Sequence, residues 1–295
     1  MEKPSWLCTL ATQLSLCFSL YLVLNLGQPQ KSIYQDINGK VWPNDAYFIT
    51  VRGGYRPIQQ QTHLLKLMER VAKAYKAMFV VNISKLGEDD PLTKNAMRLF
   101  PSRRIPWYTT RSLKGMGVDC FLEQRKIHHG QTLDIIGVDT RSFQEIMLTG
   151  SSNGSNGSRL YLERVLEATN SDWRIVVGYE PMVVCEENKE QAEVKKAFEP
   201  LHQIFMKFGV NVYLSSQGCI NFTRQGSVAY IGNPGLIEED PYAASINLSS
   251  KFSREMVDGF LLHRVNWAEI ATYFVTEDGE VVYKTVVHQR GKEVM

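Results

Sequence analysis

Short apolar runs, each closed by a glycine or a polar tip, recur along this chain with room for a helix between them. The first five are Ala46 to Val51 (AYFITV), Met78 to Ile83 (MFVVNI), Ile105 to Thr110 (IPWYTT), Thr132 to Asp139 (TLDIIGVD) and Arg174 to Gly178 (RIVVG). The clearest of them, such as MFVVNI, are continuously apolar instead of alternating. That pattern marks strands covered on both faces, which occur inside layered α/β proteins. Helical spacing fills the gaps. Pro57 opens a helix that sets Leu64, Met68, Val71 and Tyr75 on one face. A charged turn, GEDDP, leads into a short helix over Leu92 to Phe100. Further helices are expected over Arg159 to Thr169 and Glu187 to Phe208, the second interrupted near Pro200. The final strands are Val210 to Leu214, Val228 to Gly232, Trp267 to Val275 and Glu280 to Val287, the last two joined by a hairpin through Asp278-Gly279.

Several function classes are excluded early. The net charge is only +2, and there is no basic block and no basic stripe interleaved with aromatics, so no nucleic-acid partner is expected. No G-x-S-x-G elbow, P-loop or dinucleotide fingerprint occurs, and Arg52-Gly53-Gly54 lacks the Lys-Ser/Thr of a phosphate cradle. Cys219 and Arg224 stand one residue too close for a cysteine-dependent phosphatase loop. His128-His129 lies in a charged loop with no Cys or Asp cluster beside it and reads as a surface pair.

The N-terminus is a separate unit, residues 1–30. Trp6 to Leu26 is apolar and uncharged, about the length that crosses a bilayer as a helix. It reads as a cleaved signal peptide or an uncleaved signal anchor, and its length favours the anchor. Either way, the remainder is expected in the secretory pathway. It would be held to a membrane by one N-terminal helix with a lumenal or extracellular domain, or secreted. A polar linker, Gln28 to Asn44, precedes a single domain over 45–290. Asn153, Asn156, Asn221 and Asn247 head N-x-S/T glycosylation triplets, the first two in the polar loop Ser151 to Ser158. Asn82 heads another, but it sits at the end of an expected strand and should stay unmodified. Cys120, Cys185 and Cys219 fall in the main domain, an odd number that permits at most one internal disulfide.

Five tips carry a family resemblance. They are FITVRGG at Phe48 to Gly54, FVVNISKL at Phe79 to Leu86, PWYTTRSLKG at Pro106 to Gly115, WRIVVGYEP at Trp173 to Pro181 and VNVYLSSQGC at Val210 to Cys219. In order and spacing the chain resembles the purple acid phosphatases among the calcineurin-like metallophosphoesterases, whose patterns are VGDWG, FVxxxGDNFY, PWYxxxGNHD, WxIVVGHHP and VxxYLxGHDH. The resemblance implies an α/β, four-layer αββα sandwich of two mixed sheets flanked by helices, with strand-end loops converging on one site. It also implies two metal ions that polarise a phosphoryl oxygen and generate a hydroxide.

Carried over position by position, the family's metal ligands fall on Gly53, Lys85, Glu88, Leu113, Tyr179, Gln217 and Cys219, and the residues beside two of them on Lys114 and Glu180. None keeps the family's residue. The apolar flanks match and the polar tips do not, so no catalytic residue and no metal or other cofactor is expected. The reading is a non-catalytic, pseudophosphatase-like binding or scaffold protein. The alternative is a phosphoesterase with atypical metal use. Arg52, Lys85, Arg111 and Lys114 map around the former metal pocket and are candidate anion-binding residues, so a protein or an anionic ligand is the expected partner at that face.

Overall fold

The computed structural model describes residues 13–16, 45–99, 105–110, 120–127, 130–140, 156–182, 189–217, 223–234 and 258–289. In chain order these form β1 (Ala46–Arg52), α1 (Ile58–Tyr75), β2 (Val80–Ile83), α2 (Pro91–Leu99), β3 (Trp107–Thr109), β4 (Cys120–Lys126), β5 (Thr132–Val138) and α3 (Asn156–Ala168). There follow β6 (Trp173–Gly178), α4 (Lys189–Lys207), β7 (Val212–Ser215), β8 (Thr223–Gln225), β9 (Val228–Gly232), β10 (Gly259–Val265), β11 (Glu269–Thr276) and β12 (Val281–His288).

The strands build two mixed sheets of six, ordered β12-β11-β10-β1-β2-β3 and β4-β5-β6-β7-β9-β8. Side-chain alternation along each strand divides the core into three layers of packing. On β1, Tyr47, Ile49 and Val51 face α1, where Leu64, Leu65, Met68, Val71 and Tyr75 are buried. Ala46 and Phe48 face the other way and meet Phe79, Ile135, Trp173, Val177 and Leu214 between the sheets. On the far side of the second sheet, Ile136, Val138, Val176 and Tyr213 pack on Leu162, Leu166, Phe198, Leu201 and Phe205 of α3 and α4. Helix, sheet, sheet and helix are thus four layers. A central strand with both faces covered has no polar face to show, which explains the continuous apolar runs.

Several expectations are corrected. α4 runs through Pro200 without interruption. Phe198 and Leu201, buried on either side, hold the turn in place against the missing backbone donor. α3 starts at Asn156, not Arg159, so the loop expected to run to Ser158 is shorter. Asn, Gly and Ser cost little there, because the first-turn N–H groups have no helical partner in any case. Three strands were not legible. β4 and β8 are polar edge strands, and β10 carries His263 and Arg264. Residues 6–26 lie outside the described residues apart from the helical 13–16. Among the described residues no helix is long and apolar enough to cross a membrane.

β1, β2 and β3 run parallel, as do β5, β6, β7 and β9. Their carboxyl ends gather on one edge of the sandwich, because Thr50 near the end of β1 donates to Asn233 just past β9, at 2.8 Å. At the opposite end the Trp173 indole donates to the Asn266 carbonyl, 2.8 Å away, and joins the sheets there.

Candidate functional site

The gathered strand ends are where an open α/β fold presents its loops to a ligand. After β1, the Gly53 amide donates to the Ile83 carbonyl at 2.9 Å, which keeps the chain beside β2. After β2, Ser84, Lys85 and Leu86 lead into a short 3-10 turn, Gly87–Asp89, and then to Asp90 at the head of α2. After β3, the Thr110 hydroxyl exchanges contacts of 3.3 Å with the backbone of Ser84. After β6, the Tyr179 carbonyl accepts from the Ser216 amide at 3.1 Å and from its hydroxyl at 2.6 Å. Glu180 donates its amide to Thr140 at 2.9 Å, and its carbonyl accepts the Tyr213 hydroxyl at 2.7 Å. That phenol is pushed well above its ordinary pKa, first by burial and then by the Glu180 charge.

Asp90 is the hub of the first half of this edge. It is wholly buried. Its Oδ1 accepts from the Asn82 amide and from the Leu92 backbone N–H, each at 2.9 Å, the second being the capping bond of α2. Its Oδ2 accepts from the Ser84 hydroxyl at 2.5 Å and from the Gly54 amide at 2.8 Å. The Asn82 amide also reaches Thr93 at 2.7 Å. Asn82 is buried and committed to this cluster, so its glycosylation triplet offers no acceptor.

Lys85 and Tyr179 meet across the edge. The Lys85 ammonium lies 5.0 Å from the centroid of the Tyr179 ring, within cation–π range. Both residues are half-buried, as are Arg52, Gly53, Glu180 and Gln217, whereas Glu88 is exposed on the 3-10 turn. Leu113, Lys114, Arg111 and Cys219 lie outside the described residues, as do Asn153, Asn221 and Asn247. The edge therefore brings together Arg52, Gly53, Lys85, Tyr179, Glu180 and Gln217, from four separate tips.

The donor set does not fit the two-metal centre that the resemblance implies. Such a centre needs carboxylates and imidazoles converging on hard cations. Among the described residues no three His, Cys, Asp or Glu side chains could hold a metal ion. Lys85 presents an ammonium at the bridging position, and the carboxylate of Asp90 is already saturated by donors.

Behind the site a second polar chain was missed in the sequence. The Asn233 amide nitrogen donates to the Ser215 carbonyl at 2.9 Å, so its oxygen faces Thr50. Thr50 gives its one proton to that oxygen and must accept from His263 Nε2, 2.9 Å away. His263 Nδ1 then accepts from Thr272 at 2.9 Å. Burial pushes the imidazole pKa down to about 3. The Asp90 hub had a legible signal: an acidic residue immediately before Pro91 marks an N-cap followed by proline at the first helical position. Nothing local marks Thr50, Asn233 or His263, whose pairing spans most of the chain.

No family model matches the chain, and no curated protein matches it. Solved structures do. GAP50, described as the anchor in the inner membrane complex of Plasmodium, is 19% identical, with a TM-score of 0.59 over 84% of this chain and 90% of that one. A conserved protein of Streptococcus pneumoniae described as a predicted phosphoesterase is 11% identical, with a TM-score of 0.41 over 83% of this chain and 98% of that one. Vps29 of Entamoeba histolytica, complexed with zinc, is 13% identical, with a TM-score of 0.37 over 82% and 98%. The chain shares its fold with GAP50, two mixed sheets flanked by helices. At these identities the likeness extends to the fold alone.

Proposed function

We propose that this protein is a non-catalytic relative of the purple acid phosphatases that works by binding at the gathered strand ends. The observation that carries the proposal is the Lys85–Tyr179 pair. Two positions where the resemblance puts metal ligands, from different tips, hold a cation and an aromatic ring that face each other at 5.0 Å. A cation there opposes a metal and favours an anionic group, with Arg52 on the adjoining strand end as a second donor. Arg111 and Lys114 complete the proposed anion site. GAP50 is named as an anchor in a membrane complex, and a similar scaffold role is part of the proposal. So are an N-terminal membrane anchor over Trp6 to Leu26, a lumenal domain over 45–290 and glycans at Asn153, Asn156, Asn221 and Asn247.

The test uses the full chain, expressed through a secretory host without chelators. Iron, zinc and manganese should amount to less than about a tenth of an ion per chain, since tight retention needs a matched ligand set. Phosphomonoester hydrolysis should stay at background. One or two metals per chain together with turnover would overturn the reading. On the anion site, phosphate should raise the melting temperature of the parent and not that of Lys85→Ala; equal shifts would remove Lys85 from the site.

A further inference from the structure

Position 53 is glycine because of space, not backbone. Gly54, its neighbour, has a φ of 118° and open room around it, while Gly53 lies outside the left-handed region. A Cβ on Gly53 would sit 2.5 Å from Asn82 Oδ1, 2.5 Å from Asp90 Oδ2 and 2.6 Å from Ser84 Cβ, closer than real Cβ atoms come. These neighbours are not flexible chain ends that can swing aside. Asn82 and Ser84 are both hydrogen-bonded to Asp90, and Asp90 caps α2.

We infer that the Asp90 carboxylate has closed the former metal site from within, by occupying the volume a side chain at position 53 would need, so that restoring an aspartate there cannot restore a metal centre. The first metal ligand of the resemblance requires a carboxylate on residue 53, aimed into the edge. Here the carboxylate comes from the head of α2. It spends its lone pairs on the Gly54 amide, Ser84, Asn82 and the Leu92 amide, and so ties β1, β2 and α2 together without an ion. The buried Asn82 Oδ1, which has no hydrogen-bond partner, faces the same filled spot. The disagreement with the two-metal chemistry thus lies in packing as well as in residue type. This holds whatever the face binds.

The test is a double-mutant cycle on the full chain, read by thermal unfolding. Gly53→Ala adds only the Cβ. It is expected to lower the melting temperature by on the order of 5 °C, the usual scale of overpacking in a domain of this size. Asp90→Ser keeps a capping hydroxyl and removes the carboxylate volume. In that background Gly53→Ala should cost less than half as much. Equal losses in both backgrounds, or none in the parent, would overturn the inference. If Gly53→Ala alone does not fold, recovery of folding in Gly53→Ala/Asp90→Ser supports closure by Asp90, and failure of both overturns it. Gly53→Asp should likewise lose stability and gain no zinc, manganese or iron; a parent-like melting temperature with one or more ions per chain would also overturn it.

Discussion

At the scale of single residues, His263 has the most predictable behaviour. Its ring is stacked on Phe48, with centroids 4.4 Å apart, and both nitrogens face threonine hydroxyls. Burial alone lowers its pKa to about 3, from an ordinary value near 6.5. Between those values the unfolded chain takes up a proton and the folded chain does not. Stability from this group is therefore complete above about pH 6.5 and declines as the pH falls toward 3. By pH 5 the loss reaches about 2 kcal/mol. Urea unfolding at pH 7.5 and at pH 5 should show that difference in the parent, and a smaller one in His263→Gln, whose amide does not titrate. An equal acid loss in both would assign it to carboxylates elsewhere. The residue also shows where reading the sequence fails. A histidine in GFLLHRV interrupts an apolar run, and the strand goes unread until Thr50 and Thr272 are known to flank it.

At the scale of elements, burial explains much of what was legible but not all of it, since the buried β10 was missed and the edge strands β3 and β12 were not. β1, β2, β5 and β6 are central strands or lie beside them, and their mainly apolar residues answer to packing on both faces, with Thr50, Asn82, Asp134 and Arg174 as polar exceptions. β4 and β8 are edge strands that mix half-buried and exposed polar residues, so CFLEQRK and TRQ carry no clear period to read. The joints between elements were equally hidden. Arg56, just before α1, forms a two-pronged ion pair with Asp258, just before β10, at 2.5 and 2.9 Å. The side chains are 5% and 3% exposed, so neither charge has water as a substitute partner. Asp258→Ala is expected to cost about 3–5 kcal/mol, because it strands a buried guanidinium. Asp89→Ala, which breaks a pair exposed by 60% and 62%, should cost within about 1 kcal/mol. Chemical denaturation of the two variants side by side checks the contrast; similar losses would mean that the Arg56 pair is solvated in practice.

At the scale of the whole molecule, the two sheets share one interior, and the resemblance drawn from apolar skeletons succeeds for that reason. Trp173 at the start of β6 and Asn266 between β10 and β11 lie far apart in sequence, and the indole bond to the Asn266 carbonyl joins the two sheets through them. Asn266 also holds its own turn, its side-chain oxygen accepting the Ala268 and Glu269 amides at 2.8 Å each. Trp173→Phe removes the donor and leaves a gap among fully buried neighbours. A cost of about 2–4 kcal/mol follows from the lost volume and the stranded carbonyl. The loss should appear in both sheets at once. Trp107 on β3 and Trp267 between β10 and β11, the other tryptophans among the described residues, report on the first sheet by fluorescence, while far-UV circular dichroism reports on all strands. In Trp173→Phe both signals should shift to a lower denaturant midpoint together, as one two-state transition. If the fluorescence kept its midpoint while the dichroism shifted, the sheets would be unfolding independently. The inter-sheet core would then be too weak to couple the strand tips that Asp90 and the Lys85–Tyr179 pair hold together.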